Sequence, residues 1–527
     1  MTDPETVRNV GEAGWPDEKP VPPRYWWLKR ILAAIGVLML ALACLRWLWG
    51  WEAHRRLQAE IERYQAAGQL VYAHEFDEEL DAVPDDQNAA VLLEKAMDGI
   101  TASTASGVEI GRFLYYPAVF DTDMEAATEL MESNRDVLDL VRQARDRPQV
   151  AWSRRLAQRN VAISPGLLSS QRLLSKLLWF SATYHYRTGN HAEAVDTLHE
   201  LLHFSEAVAA HPMLLSSLVS WACHALGRGL IEEFGSDLEL VGAHSEPNGQ
   251  VKPARREQLE RLIVELMDDE TPKKALVRTF YGERAYYLAI LDSAYTRRMP
   301  FGRTLPKPTA WGNATGFLKR PLLELAVIRI ARYETLLAEA AMSPSWPSVS
   351  ERLPVRMHQS SLIREPSRSV SEIVIPSQNR SMELFFRHLA QRGMAATALA
   401  IRLFEVDNGR RPASLTELVP QYLIEVPLDP FSPDGACIRY RPDADQAVLY
   451  SVGADGNDNG GVVAITPDER RDASRSDRLF YLDGRPKDEE ESGSTGSGQT
   501  GEDHENTEDN EANAKEDHAG QSKPQKW

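Results

Sequence analysis

One stretch near the start of the chain is apolar without interruption. Residues Ile31 to Leu45 form a run of fifteen apolar residues that leaves no polar face on a helix. A hydrocarbon core of about 30 Å requires about 20 residues of helix, and Ile31–Trp51 provides that length. Tryptophans flank the run on both sides, as is typical of membrane interfaces, and Arg46 can extend outward to water. The pattern predicts one transmembrane helix over residues 31–51.

Three other interpretations of this run fit less well. A buried core helix normally has a polar face, and a cleaved signal peptide normally begins near residue 1, whereas thirty mostly polar residues precede the run. Ala41-Leu42-Ala43-Cys44 resembles a lipoprotein signal, but the chain after Cys44 stays apolar and aromatic. Basic residues are nearly balanced on the two sides. Because Lys29 and Arg30 adjoin the run directly, we expect the N-terminus inside the cell and the large C-terminal part outside.

Helical periodicity dominates the middle of the chain. Apolar residues recur at three- and four-residue spacing and strand-like alternation is scarce, so residues 52–342 are predicted to form an all-α domain. Turn and cap signals such as Gly189-Asn190 and Pro212 separate several helices. The predicted helices are Glu52–Ala67, Ala89–Met97, Asp123–Arg145, Pro165–Arg187, His191–Ala210, Met213–Phe234, Arg256–Asp268, Ala275–Arg297 and Pro321–Met342.

Part of this region resembles the closing half of a tetratricopeptide unit. Ala182, Gly189-Asn190 and Ala194 stand where such units place the small residues that let paired helices pack closely. The sequence contains one such unit and no convincing 34-residue repeat. We therefore expect a helical-hairpin body rather than a peptide-binding solenoid.

His199-Glu200-Leu201-Leu202-His203 matches the H-E-x-x-H pattern of zinc peptidases. On a helix the two histidines lie one turn apart and could both bind zinc, with Glu200 as the general base and Glu232 or Glu233 as a third ligand. The same residues are also ordinary polar positions of a packed helical hairpin, and no H-x-x-G-x-x-H extension follows. We favour the second interpretation and keep a membrane-tethered zinc metallopeptidase as the alternative function.

The region from 343 to 483 changes character. Five prolines between residues 343 and 376 indicate a linker. A long helix is then predicted from Asn379–Ser381 to Asp407-Asn408-Gly409, where the glycine serves as a C-cap. Short strands follow at Ile438–Arg441, Ala447–Val452 and Arg478–Leu482. A long helix on a small antiparallel sheet is an α+β unit, which we place at residues 377–483.

This unit resembles the globular domain of type II secretion major pseudopilins. Leu403 to Pro412 (LFEVDNGRRP) is similar to the helix end of that family, and Leu418 to Leu423 (LVPQYL) and Pro427 to Phe431 (PLDPF) are similar to its next two signatures. Leu449 to Gly456 (LYSVGADG) is similar to its Y-S-x-G-x-D-G loop. The four signatures occur in the family's order, and the unit covers about a fifth of the chain.

The rest of the chain departs from the pseudopilin pattern. Pseudopilins carry a short basic leader, and their apolar helix continues directly into the globular domain, whereas here the predicted span lies over three hundred residues upstream of the module. The resemblance therefore implies a pseudopilin-like module on a different anchor. It places the bulk of the chain in the periplasm, held at the bacterial inner membrane.

The loop after the second predicted strand carries oxygen ligands. The spacing matches the first half of an EF-hand loop, with Asp455, Asn457 and Asn459 at alternate positions before Gly460. Asp458 is an additional candidate calcium ligand. Thr466 occupies the position of the usual bidentate glutamate. The pseudopilin resemblance implies a bound calcium ion, with Asp477 as the carboxylate supplied from elsewhere. A solvated Asx turn is the alternative; calcium, where bound, would be structural and weakly held.

Composition and charge narrow the function classes. The 527-residue chain has a net charge of −18, which argues against nucleic acid as a partner. Three cysteines are too few for a disulfide scaffold, and whether Cys223 and Cys437 pair is left open. The segment from Lys487 contains twelve acidic and four basic residues, and is predicted to be disordered. The predicted segments are 1–30 polar tail, 31–51 span, 52–342 helical domain, 343–376 linker, 377–483 module and 484–527 acidic tail.

These patterns together predict a mainly α protein. We expect a non-catalytic, membrane-anchored scaffold or assembly protein of the cell envelope. Its partners are the lipid bilayer and other envelope or secretion proteins, and no small-molecule substrate is indicated.

Overall fold

Helices make up most of the chain in the computed structural model. It describes residues 25–157, 165–241, 251–296, 310–353, 368–442, 446–461 and 477–484; the N-terminal and acidic tails lie outside these ranges. The helices are α1 Trp26–Ala66, α2 Ala73–Asp81, α3 Ala89–Asp98, α4 Ile110–Tyr115, α5 Val119–Thr122, α6 Met124–Ser133, α7 Arg135–Arg145, α8 Pro165–Arg187, α9 His191–Ala209, α10 Leu214–Phe234, α11 Arg256–Met267, α12 Glu270–Thr296, α13 Ala310–Ala341, α14 Trp346–Ser350 and α15 Arg368–Asn408. The expectation of a mainly α fold is confirmed.

The helix predicted over Asp123–Arg145 is two helices, α6 and α7. The break falls at Asn134, whose side chain is fully buried. Its amide nitrogen donates to the carbonyl oxygens of Thr101 and Leu130, and its amide oxygen accepts from the Thr101 backbone N–H. The side chain thus ties a distant loop to the end of α6, and this interaction interrupts the helix.

Two other helices begin earlier than the sequence predicts. Helix α13 begins at Ala310 instead of Pro321, and α15 begins at Arg368 instead of near residue 379. Pro321 and Pro376 both lie inside these helices. Proline is most often found in the first turn, so Pro321 gave a misleading start for α13; for α15 the misleading signal was the N-cap candidate Asn379–Ser381. The region predicted as a linker contains α14 and the start of α15.

A three-stranded antiparallel sheet follows α15 and a short 3₁₀ helix, Leu415–Leu418. Its strands are β1 Arg439–Arg441, β2 Val448–Ser451 and β3 Arg478–Tyr481, in the order β1-β2-β3. Tyr440 pairs with Leu449, and Leu449 pairs with Phe480. Gly409, with φ 68°, ends α15 in the left-handed conformation that the C-cap prediction requires. The small antiparallel sheet beside a long helix agrees with the predicted α+β arrangement.

The helical body and the sheet region share one hydrophobic core. A single cluster of buried side chains joins residues of α3 to α11 with residues of α15, the 3₁₀ helix, β2 and β3, and the partly buried Tyr440 of β1 packs against it. Its members include Leu177, Leu201, Leu262, Leu399 and Leu449. A second cluster joins α12, α13 and α15 through Phe280, Leu337 and Phe385. The C-terminal region therefore packs as part of the body and not as a separate globule.

Helix α1 connects the apolar N-terminal stretch to this body. Its last four turns bury Ala53, Leu57, Ile61 and Tyr64. Leu57, Ile61 and Tyr64 belong to a cluster that also contains Leu288 of α12 and Val327, Ile328 and Ala331 of α13. One uninterrupted helix thus leaves the apolar segment and enters the protein interior.

Candidate functional site

The H-E-x-x-H residues lie on α9, at the centre of the helical body. Helix α9 packs against α8, α10, α7 and α11, and twelve of its residues are buried. Together α8 and α9 form the predicted hairpin, in which Ala182 and Ala194 are fully buried. The three motif side chains point to two different neighbours.

Glu200 faces α7. It is 1% exposed, and its Oε1 accepts from the Arg142 Nε at 3.1 Å and lies 3.7 Å from the Arg145 Nη1. Burial raises the pKa of Glu200, and the two arginines oppose that rise. The carboxylate is therefore engaged in buried ion pairs, away from the two histidines that a general base would have to adjoin.

His199 and His203 face α11. The His199 Nε2 lies 2.7 Å from the Glu265 Oε2. Burial lowers the pKa of His203, while the nearby Glu265 carboxylate partly raises it. The carboxylate that the structure brings to these histidines is thus Glu265, which sequence reasoning missed.

The two residues considered as a third zinc ligand are engaged elsewhere. Glu232 pairs with Arg228 at 2.7 Å and accepts from the backbone N–H of Tyr481 on β3. Glu233 lies 3.5 Å from the Arg187 guanidinium. Both carboxylates therefore serve contacts at the end of α10 and not at the histidine pair.

The predicted calcium-binding residues lie around the loop after β2. Within it, the Asp455 carboxylate accepts from the backbone N–H of Asn457 at 3.1 Å, which is an Asx turn. The Asp458 carboxylate accepts from the N–H of Gly460 and pairs with Arg439 of β1 at 2.7 Å. The loop is held to the sheet edge by this ion pair.

Asp477, just before β3, reaches the same loop. Its oxygens accept from the N–H groups of Asn459 at 3.3 Å and Gly461 at 2.6 Å. Burial raises the pKa of Asp477, and these two N–H groups oppose the rise. The predicted meeting of Asp477 with the loop is therefore present, although backbone N–H groups occupy its oxygens.

Neither set of residues forms a preformed metal centre in the described chain. Over the described ranges, no group of three or more His, Cys, Asp or Glu side chains is arranged to hold a metal ion. Thr466 lies outside these ranges. Cys44, Cys223 and Cys437 are all free; Cys223 is buried and the other two are exposed.

A buried carboxylate in the PLDPF segment organises the sheet region. Asp429 is 2% exposed and accepts four hydrogen bonds. Its Oδ1 accepts from the Phe431 N–H and the Ser451 hydroxyl, and its Oδ2 accepts from the Val452 N–H and the Arg439 guanidinium. It thereby ties the PLDPF turn to the end of β2, a role that the sequence signature alone did not reveal.

A small cavity lies between α9, α10, α12 and α15, and its lining includes Glu206, Trp221, His388 and Arg392. Arg392 is 2% exposed, and its guanidinium contacts the His224 Nε2 at 3.2 Å and the Asp268 carbonyl oxygen at 3.2 Å. Burial raises the pKa of Glu206 to about 7. Because these residues come from three helices that are distant in the sequence, α9, α10 and α15, no sequence motif marks them.

Two helices are long and apolar enough to cross a membrane, by length and composition among the described residues. The apolar part of α1 is wholly exposed, whereas half of the apolar window of α10 is buried in the body. Helix α10 is thus a core helix that passes the same criterion. Helix α1 is the candidate anchor.

Polar and aromatic side chains mark the end of the apolar part of α1. Trp47, Trp49 and Trp51 are exposed there. The Arg46 guanidinium lies over Gly50, one turn further along, where a Cβ would be only 2.6 Å from its Nη1. Glycine at position 50 therefore lets Arg46 extend toward the end of the apolar segment, the direction in which a lipid-embedded arginine reaches water.

Comparison of the chain with protein-family models, with curated proteins and with solved structures gives no match.

Proposed function

We propose that the protein is a membrane-anchored scaffold or assembly protein of the bacterial cell envelope, with a pseudopilin-like α+β region. It has one span, a cytoplasmic N-terminus and a periplasmic body. The observation that carries the proposal is the single helix α1, which is exposed and apolar over one half and packs one face of its other half against the body. Such a helix couples a folded body firmly to a lipid bilayer.

The contacts of the H-E-x-x-H residues support a non-catalytic body. Peptide hydrolysis by this motif requires a carboxylate free to accept a proton from a zinc-bound water. Glu200 is instead paired with Arg142 and Arg145, and His199 is paired with Glu265. These contacts are those of a helix-packing network.

Anchoring is tested by fractionation of the full-length protein. Replacing Leu38 and Leu42 of the apolar segment by arginine costs about 2.5–3.5 kcal/mol per residue at the centre of a span. We expect the wild-type protein to stay in the membrane pellet after alkaline carbonate extraction and the double variant to leave it. Val264→Arg, at an exposed position of the body, is the matched control. Wild-type protein that is soluble without detergent would overturn the proposal.

Orientation and chemistry need separate measurements. Protease added to intact spheroplasts should digest the body; protection until lysis would place the body in the cytosol. The zinc-peptidase alternative is tested separately, by measuring the zinc content of the purified protein and of the His199→Ala variant. Stoichiometric zinc that this variant loses would favour the peptidase over the scaffold.

A further inference from the structure

Helices α13 and α15 meet through two adjacent polar pairs inside the body. The Tyr333 hydroxyl donates to the side-chain oxygen of Asn379, and the Gln378 Nε2 donates to the Glu334 Oε1. Glu334 is fully buried, and Gln378 is 2% exposed. Tyr333 belongs to the apolar cluster that joins α12, α13 and α15. The Glu334–Gln378 pair is therefore shielded from bulk water.

Each member of this pair has an oxygen without a partner. The Glu334 Oε2 and the Gln378 Oε1 are both buried and accept no hydrogen bond. Buried polar atoms are nearly always hydrogen-bonded, because burial removes their contacts with water. An ionised carboxylate and an amide oxygen are both acceptors only. In the ionised state of Glu334, neither oxygen can therefore satisfy the other.

One proton on Glu334 would satisfy both oxygens. A protonated carboxyl has one O–H donor and one free acceptor oxygen, and a primary amide likewise places an NH₂ donor beside an acceptor oxygen. When the amide nitrogen donates to one oxygen of a coplanar carboxyl, the amide oxygen faces the other. An O–H on the Glu334 Oε2 can then donate to the Gln378 Oε1, which closes a ring of two hydrogen bonds.

The charges around Glu334 favour the same protonation state. Burial raises the pKa of Glu334 and the neighbouring Glu283 of α12 raises it further, while the Gln378 amide and Arg284 oppose the rise. With a proton on Glu334, the neighbours Glu283 and Arg284 carry opposite charges. Two carboxylates would instead leave an excess negative charge in the interior, which is costly.

The other titratable groups near this site are phenols. Tyr333 adjoins Glu334 on α13, Tyr287 lies near it on α12, and burial raises the pKa of both. Tyr64 of α1 has its ring centroid 4.1 Å from the Arg284 guanidinium, and burial raises its pKa as well. These phenols stay uncharged at neutral pH and leave the charge balance unchanged.

We propose that Glu334 holds a proton at neutral pH and forms a reciprocal acid–amide pair with Gln378, and that this pair is a proton-dependent latch between α13 and α15. Helix α13 packs along α1, where the Arg332 Nε donates to Glu60 at 2.9 Å, and α15 leads into the sheet region. The latch thus joins the helices that pack on α1 to the C-terminal region. Release of the proton to solvent removes the O–H donor, leaves a buried carboxylate and weakens this contact.

The proton is detected by infrared spectroscopy of the full-length protein in mild detergent at pH 7. A protonated carboxyl has a C=O stretching band that is separate from the bands of ionised carboxylates. Spectra of Glu283→Gln and of the double variant Glu283→Gln/Glu334→Gln are compared, because the first substitution removes the neighbouring carboxyl, whose own protonation could respond to the second. We expect the band of one protonated carboxyl to be lost with Glu334. Glu339→Gln, at an exposed position of the same helix, is the matched control and should leave the band unchanged. Equal spectra of the single and double variants in this region would overturn the proposal.

The strength of the latch is measured by urea unfolding of the same two proteins between pH 5 and 8. The carboxyl of Glu334 has a pKa near 4.5 in the unfolded chain, so above that pH the folded state holds one more proton than the unfolded state. Relative to the double variant, the unfolding constant of the protein that retains Glu334 should therefore rise about tenfold per pH unit. Parallel pH dependences would overturn the proposal. A double variant that does not fold would also overturn it, because the introduced amide can make both hydrogen bonds to Gln378.

Discussion

Replacing Asp429 by asparagine should loosen the sheet region from the rest of the core. Both carboxylate oxygens are in use: Oδ1 accepts from the Phe431 N–H at 3.0 Å, and Oδ2 accepts from the Val452 N–H at 2.9 Å. An asparagine has one oxygen and one NH₂ group. Whichever way the amide is turned, one of these backbone N–H groups faces a donor.

The size of the effect follows from the burial of this site. Asp429 is 2% exposed, and Val452 is fully buried. A buried donor left without an acceptor costs about 1–3 kcal/mol, and hydrogen bonds to a charged acceptor contribute about 1.5–3 kcal/mol. Arg439 loses one of its two carboxylate partners and keeps the other, Asp458. We therefore expect Asp429→Asn to lower the free energy of unfolding by about 2–4 kcal/mol.

The assay is urea unfolding of the full-length protein in mild detergent, followed by tryptophan fluorescence. The midpoint should fall and the slope should stay unchanged, as for a pure loss of stability. Asp434→Asn is the matched control in the same turn: Asp434 is exposed, and the Ala436 N–H and the Ser432 hydroxyl both donate to its Oδ1, which asparagine retains. The control should change stability by under about 0.5 kcal/mol. Equal effects of the two substitutions would refute this account of Asp429.

Two further predictions concern protons and calcium. Burial raises the pKa of Glu283 to about 7. In the unfolded chain its carboxyl has a pKa near 4.5, so between pH 4.5 and 7 the folded state binds more protons than the unfolded state. The free energy of unfolding therefore falls as the pH rises through that window, by up to about 3 kcal/mol. Glu283→Gln, which can still accept from the Leu214 N–H, should flatten this dependence in urea unfolding at pH 5 to 8; parallel curves would contradict it. Calcium should raise the melting temperature of the full-length protein above its value in chelator, and Asp455→Asn should reduce that shift. A melt that calcium leaves unchanged would remove the calcium prediction.

Local patterns predicted the helices well where one apolar face repeats between clear turn signals. Helix α9 is predicted within one residue at its C-terminus because Gly189-Asn190 fixes its start and its apolar residues recur regularly. The prediction failed where a single polar side chain acts over a distance, as Asn134 does on Thr101. It also failed at Pro321 and at the N-cap candidate Asn379–Ser381, because α13 and α15 continue through these positions as helix.

In the candidate sites, too, the sequence predicted features set by neighbouring residues and missed partners on distant helices. The spacing of Asp455, Asn457 and Asn459 suggested a calcium loop with an Asx turn as the alternative, and the structure contains an Asx turn at Asp455. The spacing of His199 and His203 placed both on one helical face, where the structure has them. It could not predict that Glu200 faces Arg142 or that Glu265 meets His199, because α7 and α11 are far from α9 in the sequence. The partner that each of these side chains contacts depends on which helices pack against α9.

The continuity of α1 has a mechanical consequence for encounters in the plane of the membrane. A helix of 41 residues is about 60 Å long, and this one has no break between its exposed apolar half and the half that packs on the body. A body mounted in this way presents a constant height and a restricted tilt to its neighbours. With α1 as the proposed anchor, proteins that diffuse in the same bilayer would meet the body in a narrow range of orientations, which would favour their capture by one side of it.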